Sequence, residues 1–187
     1  ERFILLILEK NQKINLIGKK TESIIRERHI IDSAQAIDLI DLNDNICSDL
    51  GSGGGLPGIV LAIMMKKLNK SMKFKLYEKS HLKSIFLRNV SRKLNLNTEV
   101  IEKDIFERKN LRSESVIGRA FKPLPVILEL MDKNFSKYKN LILFMGKNGK
   151  QTLNDAFKVW KFEYKEKMSL TSDDSFLISI KNIKKKF

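Results

Sequence analysis

Ser48-Asp49-Leu50-Gly51-Ser52-Gly53-Gly54-Gly55-Leu56-Pro57-Gly58 sets an acidic residue and a run of glycines where a buried strand turns into a helix. Ile46 to Leu50 reads as a short strand, and Ile59 to Met65 as the buried face of a helix opened by Pro57 and Gly58. Glycines accept positive φ and let backbone approach a ligand closely, while the helix behind them offers free N–H groups. A structural turn seldom needs four glycines in five positions, so 51–55 is read as the loop that holds a nucleotide-like ligand.

Working outward, strands are expected at 46–50, 73–77, 98–102, 115–118 and 140–144, and helices at about 57–68, 81–94, 123–134 and 151–157. Two further strands, Trp160 to Met168 and Ser175 to Ile183, close the chain as an antiparallel edge. Ahead of the glycines, Phe3 to Asn11 and Glu22 to Ile40 carry helix-period apolar residues, with Thr21 as the expected N-cap of the second. Alternation of strands and helices predicts an α/β fold with a mostly parallel sheet covered on both faces. Residues 1–44 are expected to form a helical extension packed on a single globular unit, 45–187. In such a sheet ligands sit at the carboxyl ends of the strands, where Asp49 to Gly55, Glu78, Lys103-Asp104-Ile105 and Arg119 should converge.

Composition narrows the partners. With 36 Lys and Arg against 22 Asp and Glu, the net charge is +14, a field that attracts polyanions. A lysine-rich, AT-biased coding composition is the alternative source of that charge. The longest early apolar run, Phe3 to Leu8, is too short to span a bilayer and has no cleavage-site pattern, so neither a membrane segment nor a signal peptide is expected. A single cysteine, Cys47, forms no internal disulfide and suits a reducing cytoplasm.

The glycine spacing separates cofactor classes. Numbered from Gly51 the loop is G-S-G-G-G-L-P-G, so the third glycine of the dinucleotide fingerprint would fall on Leu56, and no Gly-Lys-Ser or Gly-Lys-Thr follows as a phosphate loop requires. An acidic residue just ahead of G-x-G-x-G, with Glu78 ending the second strand, is the arrangement of S-adenosylmethionine-dependent methyltransferases. There the second-strand carboxylate accepts hydrogen bonds from the ribose hydroxyls.

Beyond this the chain resembles the bacterial 16S ribosomal RNA guanine-N7 methyltransferases, the glucose-inhibited division protein B family. The segments that carry the resemblance are Asn15-Leu16, Arg28-His29-Ile30-Ile31-Asp32-Ser33, Asp49 through Ile59, Phe86-Leu87 and Gly118-Arg119-Ala120-Phe121. It implies a Rossmann-like class I methyltransferase with a seven-stranded sheet that places a methyl on N7 of a guanine in the 530 loop of 16S ribosomal RNA. S-adenosyl-L-methionine is the implied cofactor and S-adenosyl-L-homocysteine the product. The implied partner is 16S RNA, the small subunit or its assembly intermediate, met by a cytoplasmic monomer.

The cofactor-binding residues so implied are Asp49, Gly51, Gly53, Gly55, Leu56, Glu78, Asp104, Ile105 and Arg119. Arg28, His29, Asp32, Phe121 and Lys147 are the candidates for substrate contact or site organisation. At i and i+3 of a helix, Asp32 shares a face with His29 and is placed to orient it. Phe121 is a candidate to stack on the target guanine, with core packing as the alternative. The chain departs from the family at Lys103-Asp104-Ile105, where Arg-x-Glu is usual, and at Gly118, where Ser is usual. It departs again at His81-Leu82-Lys83 and at Met145-Gly146-Lys147-Asn148-Gly149. Guanine N7 has a free lone pair, so no general base or covalent nucleophile is expected. The competing readings are a methyltransferase of another substrate and a non-catalytic RNA-binding module.

Overall fold

The computed structural model describes all 187 residues. Helix α1 (Arg2–Asn11) leads through an irregular segment to strand β1 (Ile46–Leu50), helix α3 (Gly58–Lys67), strand β2 (Lys73–Tyr77), helix α4 (His81–Lys93) and strand β3 (Thr98–Ile101). A short strand β4 (Leu111–Arg112) precedes β5 (Ser115–Gly118), and helix α5 (Leu124–Asn134) runs into β6 (Phe135–Lys137) and β7 (Asn140–Met145). Helix α6 (Gly149–Val159) and strands β8 (Trp160–Met168) and β9 (Phe176–Lys185) complete the chain.

Seven strands form one sheet in the order β3-β2-β1-β5-β7-β9-β8. The first five are parallel; β9 inserts between β7 and β8 and runs antiparallel to both, as the C-terminal pattern predicted. The chain builds outward from β1 in one direction and restarts at β5 in the other, which opens a crevice at the carboxyl ends of these neighbours. The short β4 pairs with β6 in a separate two-stranded sheet that the sequence pattern does not signal.

Strand alternation feeds two cores. Cys47, Phe74, Leu76, Ile117 and Ile142 pack on one face with Ile59, Leu61, Met65, Phe86, Leu87 and the N-terminal Phe3, Ile7 and Ile25. Leu50, Tyr77, Val116, Leu141 and Leu143 pack on the other with Leu128, Met131, Leu153 and Trp160. Helices α3 and α4 end where expected, on Asn69 and Asn95 in left-handed conformation. Lys70 N–H donates to Met65 O and Leu96 N–H to Ser91 O, the closing bonds of a Schellman turn.

The stretch 22–40 is not one regular helix. It is a π turn (Arg26–Ile31) that passes into a short α-helical piece α2 (Asp32–Ala34) and a 3-10 piece (Gln35–Leu39). Thr21 is not its cap: the hydroxyl donates to Gly18 O at 2.7 Å and meets His29 Nε2, so its bonds are spent on the preceding turn and on the imidazole.

Candidate functional site

The loop after β1 is held from behind by Asp49. This carboxylate is buried, and its Oδ2 accepts from the Gly58 N–H at 3.1 Å, which fastens strand β1 to the first turn of α3. Oδ1 has no partner, and burial pushes the acid up to about 7. A side chain at Gly58 would collide with that carboxylate and stand 2.6 Å from Leu76 Cδ2. Gly51 and Gly53 adopt left-handed φ of 66° and 54°, which turns the chain back over the strand ends.

The turn is then locked across the sheet. Ser52 N–H donates to Tyr77 O at 2.9 Å, and Gly53 N–H donates to Glu78 Oε2 at 2.8 Å. Glu78 uses its other oxygen to accept from Ser80 N–H at 2.8 Å, so one buried carboxylate sets both the glycine turn and the start of α4. After β3, Asp104 caps a short 3-10 turn (Ile105–Glu107) by accepting from Phe106 N–H at 3.1 Å.

These pieces surround a cavity of about 540 Å³ at the carboxyl ends of the strands. Gly51, Gly53, Leu56, Glu78, Asp104, Ile105, Arg119, His29 and Phe121 line it, together with Tyr77 and Phe106. The donor set fits S-adenosylmethionine: carboxylates at Glu78 and Asp104 to accept from hydroxyl and amino groups, apolar walls at Leu56, Ile105 and Phe106, and a glycine backbone without side chains in the way. Phe121 stacks on Phe106 with centroids 6.0 Å apart, and its ring takes the space of a Gly51 side chain, with Cε2 only 2.8 Å from where a Cβ would stand.

Arg119 joins the sheet to the N-terminal segment. Its guanidinium pairs with Asp32 at 3.0 Å, donates to the Arg28 carbonyl at 2.8 Å and lies 3.4 Å from His29 Nδ1 and from Ser33 Oγ. It also sits over the Phe144 ring, 5.8 Å from the centroid. Because the Thr21 hydroxyl gives its proton to Gly18, it accepts from His29 Nε2–H, which leaves Nδ1 as the lone pair facing Arg119. Burial first and the Arg119 charge second push His29 down to about 4, so the ring is neutral near pH 7.

Several expected residues stand elsewhere. Asp49 and Gly55 are not in the cavity lining: Asp49 bonds the Gly58 N–H, and a side chain at Gly55 would meet Ile59 and Leu87. Asp32 makes no bond to His29: its oxygens serve Arg119, Gln35 Nε2 at 2.9 Å and Thr171 Oγ1 at 3.0 Å, so it acts on the ring through its charge and through Arg119. Arg28 contributes its carbonyl while its side chain is exposed. Lys147 is exposed in the turn after β7 and does not line the cavity, because α6 begins directly behind it.

The structure adds residues that the strand-end rule does not reach. Leu16, Ile17 and Gly18 close one side of the cavity, held by Asn11, whose buried amide oxygen accepts from the N–H groups of Leu16 and Ile17. Lys79, Lys83, Lys103 and Lys122 also line the cavity, a basic margin that follows from the same strand ends.

Comparison with known proteins agrees with this geometry. The family model described as "GidB: rRNA small subunit methyltransferase G" matches residues 1–176. A protein of Pelagibacter ubique named ribosomal RNA small subunit methyltransferase G is 56% identical over 186 residues, covering 98% of this chain and 87% of that protein. The Paracoccus denitrificans protein of the same name is 34% identical over 180 residues, covering 96% and 91%. Among solved structures, the O-methyltransferase from Bacillus cereus in complex with S-adenosylhomocysteine superposes with a TM-score of 0.62 at 14% identity, covering 97% and 91%. That likeness shows the class I methyltransferase fold. The match over nearly the whole chain, on a sheet with this loop at its switch point, places the protein in the GidB family of S-adenosylmethionine-dependent methyltransferases of small-subunit ribosomal RNA.

Proposed function

We propose that the chain methylates N7 of a guanine in 16S ribosomal RNA by direct transfer, as a cytoplasmic monomer, with 16S RNA within the small subunit or an assembly intermediate as substrate. When bound, S-adenosylmethionine supplies an electrophilic methyl on its sulfonium. Glu78 and Asp104 are assigned to hold its hydroxyl and amino groups, Leu56 and Ile105 its apolar surface, and the Gly51 to Gly53 backbone to leave it room. Arg119 is assigned to fix the wall that the base meets.

The observation that carries the reading is the commitment of the cavity's histidine and of the single cysteine. His29 spends its Nε2–H on Thr21 and turns Nδ1 to Arg119, and Cys47 is buried within β1. Guanine N7 brings its own lone pair and has no proton to lose, so alignment and desolvation suffice. The test is to map N7-methylguanosine in small-subunit RNA from cells with and without this gene: one site should lose its methyl in the deletion. An unaltered map rejects the reading.

A further inference from the structure

Beyond the cavity, a second cleft of about 340 Å³ lies between α4 and the edge strand β3, lined by Arg88, Ser91, Arg92, Asn95, Leu96, Thr98 and Val100. No carboxylate lines it. Glu99, the nearest acid on β3, points to the opposite face by strand alternation. Glu102, between cleft and cavity, is held by His81 Nδ1 at 2.6 Å and Arg88 Nη1 at 2.7 Å.

We infer that this cleft is a second binding site for the RNA substrate, taking phosphates of the strand that leaves the cavity; the inference rests on the RNA-methylating reading above. Arg88 spends one nitrogen on Glu102, and Arg92 makes only a 3.4 Å bond to Asn89, so both keep N–H groups for an anion. Thr98 Oγ1 donates to Ser91 Oγ at 2.6 Å, which leaves the Ser91 proton free to donate outward. Leu96 and Val100 give an apolar floor for a ribose. The cleft continues a row that starts beside the cavity: His81, Arg88 and Arg92 share the exposed face of α4, eleven residues from first to last, and Glu102, which bonds the first two, directly precedes the cavity-lining Lys103. That is about 16 Å of helix, the length of about five stacked nucleotides. Two arginines with spare N–H groups and no carboxylate in the lining fit a polyanion rather than a metal ion or a cationic peptide.

The test compares wild type, Arg88→Gln with Arg92→Gln, and a charge-matched control, Lys161→Gln with Lys184→Gln, on the far sheet edge. Binding to deproteinised 16S RNA and to purified small subunits is measured across salt, beside S-adenosylmethionine affinity and melting temperature. The arginine pair should weaken RNA binding about tenfold and flatten the slope of log K against log salt by about 0.7 per lost phosphate contact. Cofactor affinity and melting temperature should hold, and the lysine control should change little. The single variant Arg92→Gln should weaken RNA binding by a smaller factor and Arg92→Lys should keep most of the wild-type affinity, which covers the case where the double variant folds poorly. RNA affinity unchanged, or lowered equally by the lysine control, overturns the cleft while leaving methyl transfer intact. A wild type that neither binds nor methylates RNA overturns the functional reading and the cleft with it.

Discussion

Asp32 and Arg119 face one another at 3.0 Å across the seam between the N-terminal segment and the sheet, with side chains only 15% and 17% exposed. The pair is one link in a chain that runs from Thr171, in the β8–β9 turn, through Asp32 to Arg119 and on to His29 at the cavity. Gln35, buried beside it, accepts from Leu170 N–H and donates to Asp32 and Ser169, so the hairpin tip and the N-terminal segment are joined by one amide.

Asp32→Asn should therefore loosen the site as well as the fold. The variant leaves a mostly buried guanidinium without its counter-charge, at a cost of about 1–3 kcal/mol after allowing for residual solvent. S-adenosylmethionine affinity should fall about tenfold because the Arg119 wall is no longer fixed. Calorimetry and thermal unfolding measure the two effects; unchanged values in both would show that the seam is dispensable. Arg119→Ala is expected to destabilise for the same reason, since it strands Asp32.

Gly58→Ala and Gly146→Ala form a matched contrast. A methyl at Gly58 meets Asp49 and Leu76 in a dry core, whereas one at Gly146 meets nothing within 4 Å. The first should cost about 1–3 kcal/mol and the second stay near zero, read from urea unfolding. Equal effects would contradict the packing described for the β1–α3 turn.

Buried Asp49 and half-buried His29 act in opposite senses on stability. Asp49 titrates at about 7 in the fold against an ordinary 3.8, so between those values the folded state holds more protons and stability falls as pH rises. His29 titrates at about 4 against an ordinary 6.5, so in that window the unfolded state holds more protons and stability rises with pH. Asp49→Asn removes the first slope. Urea unfolding from about pH 4.5 to 7.5 should then show stability rising more steeply with pH than in wild type, levelling above about 6.5. A variant that tracks the wild-type curve would place Asp49 in a wetter setting than the one seen.

Glu78→Gln should separate binding from folding. Glutamine offers one acceptor where the carboxylate offers two, so one of the Gly53 and Ser80 N–H groups loses its partner, worth about 1–3 kcal/mol. Cofactor affinity should drop by about tenfold or more, read by calorimetry, with the secondary structure intact by circular dichroism. Retained affinity would remove Glu78 from the site.

The sheet was legible because parallel strands buried on both faces read as short apolar runs between turn residues. Gly51, Gly53 and Glu78 were legible because strand ends converge at the switch point. Asp49 and Gly55 illustrate the limit of that rule. Asp49 lies in strand β1 and fastens the first N–H of α3, and Gly55 in the loop makes room for Ile59, facts that spacing alone does not carry. The π turn at 26–31 was hidden because its apolar spacing imitates an α-helix. Contacts such as Thr171 to Asp32, 139 residues apart, have no local signature at all.

The most direct measurement of the central claim is transfer of tritiated methyl from S-adenosylmethionine to 16S ribosomal RNA and small subunits by the purified chain, followed by digestion and identification of the labelled nucleoside. The account predicts label in N7-methylguanosine at a single site, strongly reduced in Glu78→Gln. Label in any other nucleoside, or none with either RNA substrate, would contradict it.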